Sequence, residues 1–375
     1  MKVKRSITIF ILALLLILPA TAGAAAQGKY EFHWMESGSL GGTALVKNGV
    51  TFVPLTRMTA YFKLDLSWDA TGKRAQFNGW NKSLAVRVGS LTGMLDGKMV
   101  KLPGAPFLFE KELYIPARFA VQALGGGRLT WDAPTKTLKA EQLQTFRKYD
   151  FVHEGLKYTV EGKSGNLYVT DGKGVRRELA KLGTSIKEYL SSNFERTPGG
   201  LLIISFADHY GEPHLNNQYF TIVVKEGKVI HQASVHYWNR VEVNVTKLGS
   251  QLLLIDGKTL RIIEDGTGKL LETIDLVKLG GEADEYFVEY FDKDVFLLRG
   301  NKDGILKLVD RGTSTVTVLY KELLDARHQE YVTYNDSPYR GDFLKFMKRE
   351  GDLLYFKNEF PYDMDNNIYS VKVAD

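Results

Sequence analysis

The sequence predicts an α+β N-terminal domain followed by an all-β, propeller-like domain of about five blades. Three observations lead there. The stretch "SWDATGKRAQF" at residues 67–77 returns as "TWDAPTKTLKA" at 130–140, so a supersecondary unit is written twice. From residue 142 onward the texture changes to short β-rich runs punctuated by Asp-Gly turns, recurring every 40 to 45 residues. The length, 375 residues, exceeds one typical domain.

The chain opens with "MKVKRSITIFILALLLILPATAGAAAQ". Lys2, Lys4 and Arg5 precede an apolar run from Ile7 to Leu18 and an Ala-rich stretch, which reads as a secretory signal peptide over residues 1–26. Ala22, Ala24 and Ala26 suit the small-residue cleavage rule, and the apolar run falls short of the roughly 20 residues that a spanning helix needs. Removing the three basic residues takes the formal net charge from +5 to +2, which implies no strongly basic surface for nucleic acid. Cysteine is absent, so lipid attachment through a thiol, disulfides and thiol chemistry are excluded. No second membrane span follows.

The first domain is expected over residues 42–142. Each copy holds a β-rich run ending in Pro (Val53-Pro54 and Ile115-Pro116), a helix, a strand ending in Trp, a turn and a further strand. In "ARFAVQALGGG" the helix presents Phe119, Val121, Ala123 and Leu124 to the core and stops at Gly125–Gly127, where glycine enters the left-handed conformation without strain. In "TRMTAYFKLD" Met58, Tyr61, Phe62 and Leu64 take that role. Between the copies, "SLAVRVGS", "GMLDGKMVKL" and "APFLFEKELYIP" read as strands, one pair joined by Asp96-Gly97. Trp68 and Trp131 are expected to pack over the helix of their own copy. Asp69 and Asp132 should open the next turn by accepting a backbone N–H two residues on, with Lys73 and Lys136 on the solvated rim. A duplicated scaffold explains the repeat better than a duplicated site that stacks on a sugar or partner.

"FVPLTRMTAYF…SWDATGK" and "YIPARFAVQALGG…TWDAPTKTL" resemble the copper amine oxidase N-terminal-like, or stalk, domain over residues 45–141. The residues that carry the resemblance are Pro54, Trp68, Asp69, Pro116, Arg118, Trp131 and Asp132, with Asp96-Gly97-Lys98 as the hairpin between copies. Two departures are Thr56, with Arg57 one place on, where that family has Arg, and the lack of a helix-ending Gly in the first copy. The resemblance implies the accessory domain without the oxidase. The Asn-Tyr-Asp/Glu and His-x-His motifs of the catalytic domain are missing, and Tyr334-Asn335-Asp336 has the wrong order. It also implies a cell-envelope setting of the Gram-positive type.

The second domain is expected over residues 146–375. Residues 241–274 break into four strand-like runs at Gly249-Ser250, Asp256-Gly257-Lys258 and Asp265–Gly268, and residues 286–320 break into four in the same order. Weaker copies occupy residues 156–180 and 200–238. The tail, "DFLKFMKREGDLLYFK" and "NNIYSVKV", supplies three strands. "FRKYDFV", residues 146–152, is the expected partner of the tail in closing a ring, with an open-ended twisted sandwich as the alternative.

Candidate chemistry is sparse. Asp208, His209, Glu212 and His214 cluster in "FADHYGEPHLNN", the best candidate for a metal, with His231 and His236 an odd number of residues apart in the next strand region. Asp363, Asp365 and Asn367 begin a D-x-D-x-N calcium-loop pattern, but Ile368 stands where Gly is needed and Ala374 where the bidentate Glu should be. A polar surface loop and a hairpin turn explain these two stretches without a metal. "HEGLK" and "GTGKL" are near misses to a zinc-protease helix and a phosphate loop.

The expectation is therefore a secreted or cell-envelope protein that binds or scaffolds without catalysis and needs no cofactor. The stalk domain serves as spacer or dimerising element, and the propeller face binds an envelope protein or a cell-wall glycan. The alternative is an extracellular hydrolase or lyase with its site in the propeller channel, which convergent acids at the channel mouth would favour.

Overall fold

The computed structural model describes residues 26–34, 38–334, 341–360 and 367–373; the signal-like segment lies outside them. Two compact units divide at Lys148 and Tyr149.

The N-terminal unit begins with β1 (Ala26–Trp34), β2 (Gly38–Lys47) and β3 (Val50–Pro54), then α1 (Leu55–Phe62). β4 (Asp65–Asp69), β5 (Arg74–Gly79), β6 (Lys82–Arg87), β7 (Thr92–Leu95) and β8 (Lys98–Lys101) form a five-stranded antiparallel meander. β9 (Phe107–Phe109), β10 (Glu112–Pro116), α2 (Ala117–Ala123), β11 (Leu129–Asp132) and β12 (Thr137–Leu143) follow. The second sheet runs β11-β12-β1-β2-β3-β10-β9, with β1 and β12 parallel. β1 thus adds a strand well ahead of residue 42.

Both helices start directly after a buried proline, whose fixed φ suits a helix entry and whose missing N–H costs nothing there. They bury Leu55, Met58 and Phe62 in one case and Ala117, Phe119, Ala120, Val121 and Ala123 in the other, in a single core with Phe32, Val53, Phe77 and Ile115. The helix-ending glycine missing from the first copy is replaced by Lys63, which itself adopts φ 56° and caps back to Thr59 O; in the second copy Gly125 adopts φ 65°. The departure at Thr56 and Arg57 is also accounted for: both side chains donate to Glu112 of β10, and these bonds hold its carboxyl below the usual range.

The C-terminal unit is a succession of small antiparallel sheets. β13 (Lys148–His153), β14 (Leu156–Glu161), β15 (Asn166–Thr170) and β16 (Arg176–Lys181) form the first. β17 (Tyr189–Arg196), β18 (Leu202–Tyr210), β19 (Asn216–Lys225) and β20 (Lys228–Trp238) form the second. The third holds β21 (Lys247–Leu248), β22 (Gln251–Ile255), β23 (Thr259–Glu264) and β24 (Leu270–Asp275), and α3 (Leu276–Gly280) follows it. The fourth holds β25 (Tyr286–Phe291), β26 (Val295–Gly300), β27 (Leu306–Asp310) and β28 (Val316–Val318), followed by α4 (Leu319–Leu323) and α5 (Ala326–Tyr334). β29 (Leu344–Glu350), β30 (Leu353–Asn358) and β31 (Ile368–Lys372) make the last, three-stranded sheet. Apolar layers lie between successive sheets: Val160 and Leu167 meet Ile204 and Phe220, Leu260 and Ile262 meet Val288 and Leu298, and Leu297 and Leu306 meet Leu354 and Phe356. The whole is β-rich with few, short helices.

Three expectations are corrected here. "FRKYDFV" does not pair with the tail: β13 pairs with β14, and β31 pairs with β30 alone among the described residues. Glu154 and Gly155 (φ 47° and 73°) make a two-residue hairpin loop with left-handed residues at both positions, which sets β13 beside β14 at a small cost in chain entropy. The strand expected over 241–248 shrinks to Lys247–Leu248; residues 240–246 run without regular pairing. Helices α3 to α5 were not anticipated.

Candidate functional site

The repeated Trp-Asp-Ala segments occupy equivalent places in the two sheets of the N-terminal unit. Trp68 is next to last in the edge strand β4, opposite buried Ala75, and Trp131 next to last in the edge strand β11, opposite buried Leu138. Each side chain therefore lies on the core-facing row, but past the end of the cover that the core provides. Trp68 is 43% and Trp131 46% exposed, which corrects the expectation that they are packed caps on the helices. Asp69 Oδ1 accepts the Gly72 N–H at 3.0 Å and Asp132 Oδ1 the Thr135 N–H at 3.2 Å, three residues on and not two. That extra residue puts Lys73 and Lys136 in the left-handed region, at φ 48° and 52°, as the last residue of each turn. The motif is a strand-turn-strand device. Pro54 and Pro116 start the helices, and Arg118 is exposed on α2.

The histidine-rich loop is not drawn together around one point. Asp208 is buried and accepts backbone N–H groups of Lys187 (2.6 Å), Glu188 (3.2 Å) and Tyr189 (3.2 Å), so its lone pairs hold the chain entering β17. His209 Nδ1 meets Asn217 Oδ1 at 2.5 Å, and His214 Nε2 meets Glu188 Oε1 at 3.1 Å. His231 meets Gly268 O and His236 meets Asn216 Oδ1. Among the described residues no three His, Asp or Glu side chains are grouped to hold a metal. Asp363 and Asp365 lie outside the described residues.

Acidic groups do converge in the C-terminal unit, but on a buried cation. Arg299 of β26 donates to Glu289 of β25, to Asp342 Oδ1 at 2.8 Å, and to the carbonyls of Gly304 (2.8 Å) and Leu344 (2.6 Å). Burial works against its charge, and Asp342 and Glu289 more than offset that, raising its pKa. Burial pushes the Glu289 carboxyl up, against the lowering influence of Arg299. This ion cluster ties the fourth sheet to the fifth, and its acids are committed to that task.

An open cleft between the second and third sheets is a different matter. Residues directly opposite one another in adjacent strands share a face. On one face of the second sheet the even-numbered residues Leu202, Ile204, Phe220 and Ile222 pack toward the first sheet. The opposite face carries a row of Asn193, Ser205 and Thr221, in register across β17, β18 and β19. The apolar inter-sheet layer is interrupted there: Leu201, Val223, Ala233, Leu252, Leu254 and Ile263 close one side, and Tyr219, Val235, Tyr237 and Phe287 close the other. Between them lies a cavity of about 370 Å³.

Its lip is the irregular segment 241–246, moored on its far side. Asn244 donates to Tyr237 Oη at 3.1 Å and accepts the Val288 N–H at 2.8 Å, and the Val245 N–H reaches Val288 O at 2.8 Å. Val241 and Val243 stand out from it, 72% and 76% exposed. Glu195 and Lys247 pair at one end of the cleft, and Glu242 meets Lys345 Nζ at 3.4 Å. Among the described residues the side-chain polar atoms of Asn193, Ser205, Thr221 and the Tyr219 phenol have no protein partner. Burial raises the pKa of Tyr219, which keeps it a neutral hydroxyl. Groups that donate and accept, set in a partly apolar hollow, can recognise a polar ligand, and the two carboxylates of the lining, Glu195 and Glu242, each meet a lysine.

None of these cleft residues was anticipated. The available signal was the period-two recurrence of Ser191, Asn193 and Glu195 in "YLSSNFER"; in "LIISFADHY" Ser205 shares its phase with Ile203 and Ala207, and without β17 in the sheet the row cannot be aligned.

Comparison with known proteins bears on the N-terminal unit. Residues 39–140 match the copper amine oxidase N-terminal domain, a non-catalytic stalk domain, so no amine oxidase activity is expected of it. No curated protein matches the chain. Similar solved structures include dihydro-heme d1 dehydrogenase NirN, at 9% identity and TM-score 0.26, aligned over 68% of this chain and 56% of that one. Streptogramin B lyase aligns at 11% identity and TM-score 0.23 over 83% of each chain, and AztD from Citrobacter koseri at 8% and 0.21 over 76% of this chain and 88% of that one. At such scores these likenesses say nothing of activity. What the comparisons show for this chain is thus the match of residues 39–140 to the copper amine oxidase N-terminal domain.

Proposed function

We propose that this is a secreted or cell-envelope protein that binds without catalysis. Its stalk-type N-terminal unit is the spacer or dimerising element, and its C-terminal unit, a propeller-like array of five blades, is the recognition module. Four four-stranded sheets and one three-stranded sheet in succession support the blade count. The signal-like N-terminus supports export, and the stalk family supports a Gram-positive-type envelope.

The observation that carries the reading is the row Asn193, Ser205 and Thr221, hydrogen-bonding groups without protein partners on the floor of an open cleft. A sheet face buried between blades is ordinarily apolar, because an unsatisfied polar group there costs about 1–3 kcal/mol. Asn193 is exposed and Ser205 and Thr221 are half-buried, so all three are open to a ligand in the hollow. The hydrolase alternative lacks comparable support, since Glu289 and Asp342 are both held by Arg299.

The test is retention of the purified chain on an envelope fraction. Wild type should be retained, and Thr221→Phe, which fills the cleft, should reduce retention at least tenfold. Equal retention of the two proteins would remove the cleft from the binding face.

A further inference from the structure

We propose that the cleft between the second and third sheets of the C-terminal unit is a saccharide site that takes a neutral, hydroxyl-rich sugar residue. The inference rests on the reading of that cleft as the binding face, and adds the class of ligand.

The first reason is charge. Glu195 is paired with Lys247 and Glu242 with Lys345, so the lining offers no uncompensated charge to an anionic sugar, a phosphate or a peptide terminus. The second is hydrogen-bonding character. Amide, aliphatic hydroxyl and phenol groups each donate and accept, as sugar hydroxyls do, and Asn193, Ser205, Thr221 and Tyr219 carry those groups without protein partners among the described residues. Adjacent strands set the floor groups at steps of about 4.8 Å, so one ligand can reach several of them together. The third is the wall. Val235, Val241 and Val243, with the ring of Tyr219, present apolar surface suited to the C–H faces of a sugar ring. The volume of about 370 Å³ lies within the range of small-molecule sites, roughly 300–1,000 Å³.

A peptide strand is the poorer occupant. Peptides commonly dock on a sheet by adding to an open edge, whereas the floor here is the face of β17, β18 and β19, where side chains and not backbone groups point into the cleft.

The experiment uses the full chain with saturation-transfer NMR and calorimetry against maltotriose, cellotriose and triacetylchitotriose, with trigalacturonate and tri-alanine as contrasts. At least one neutral trisaccharide should bind while the two contrasts do not. Ser205→Ala and Thr221→Val should each weaken binding roughly 2- to 10-fold, and Tyr219→Phe similarly, with melting temperature kept. Co-sedimentation with insoluble cellulose and chitin separates a polymer as the source from a free oligosaccharide. No binding by any neutral sugar, or binding by tri-alanine alone, overturns the saccharide assignment; if Thr221→Phe still abolishes envelope retention, the cleft stands as a binding face for another ligand. Sugar binding unchanged in all three variants overturns the site itself.

Discussion

Trp68 and Trp131 stand in the repeated Trp-Asp-Ala segments, yet they sit at the edge of the core and not within it. Their exposure, 43% and 46%, sets the expected cost of truncation. Trp68→Ala should lower stability by about 1–2 kcal/mol in urea unfolding, short of the roughly 3–5 kcal/mol of a core tryptophan. A loss of 4 kcal/mol or more would show that the ring is a core element after all. The chemistry of the turn was legible from residue types: an Asp that opens it, and Lys at the point of return. The exposure of Trp was not, because the same residue serves as core or rim according to how far the neighbouring element extends over it. His209 and His214 make the same point. Nearness in sequence does not make ligands converge when each ring is engaged by its own neighbour, Asn217 in one case and Glu188 in the other.

At the scale of elements, local hydrogen bonds decided pairing. The Glu154-Gly155 hairpin binds β13 to β14, where the opposite end of the repeat region was expected. Contacts between sheets rest on the apolar layers and, in addition, on single side chains such as Asp292, at the β25–β26 turn. It accepts from Tyr290 at 2.6 Å, from the N–H groups of Asp294 and Val295 at 2.9 Å each, and from Arg349 of β29. Burial alone would raise its pKa, but these donors outweigh burial and hold the carboxyl below its usual value. A carboxyl with a depressed folded pKa adds stability that is present above its unfolded pKa, about 3.9, and is lost as pH falls through the folded value. Asp292→Asn should therefore cost about 1–3 kcal/mol at pH 7, with the gap to wild type narrowing below about pH 4. Urea denaturation at pH 7 and pH 3 measures both; an equal gap at the two values would show that its charge plays no part.

For the whole molecule, the family of residues 39–140 carries a name associated with copper and amines, whereas the chain lacks the sequence motifs of that chemistry. The purified protein should release no hydrogen peroxide from benzylamine or putrescine, with or without added copper. Turnover above the rate of copper alone would reinstate an oxidase reading.

The amino-acid sequence alone carried the stalk-domain likeness of residues 39–140 and the β-rich character of the rest, because these depend on local periodicity and turn chemistry. Only the tertiary structure decided the cleft. Asn193, Ser205 and Thr221 are unremarkable polar residues on three strands until the register of β17, β18 and β19 aligns them. The open space above them depends on segment 241–246 being moored to Val288 of another sheet. Register and mooring are products of long-range packing, which no local stretch of the chain encodes.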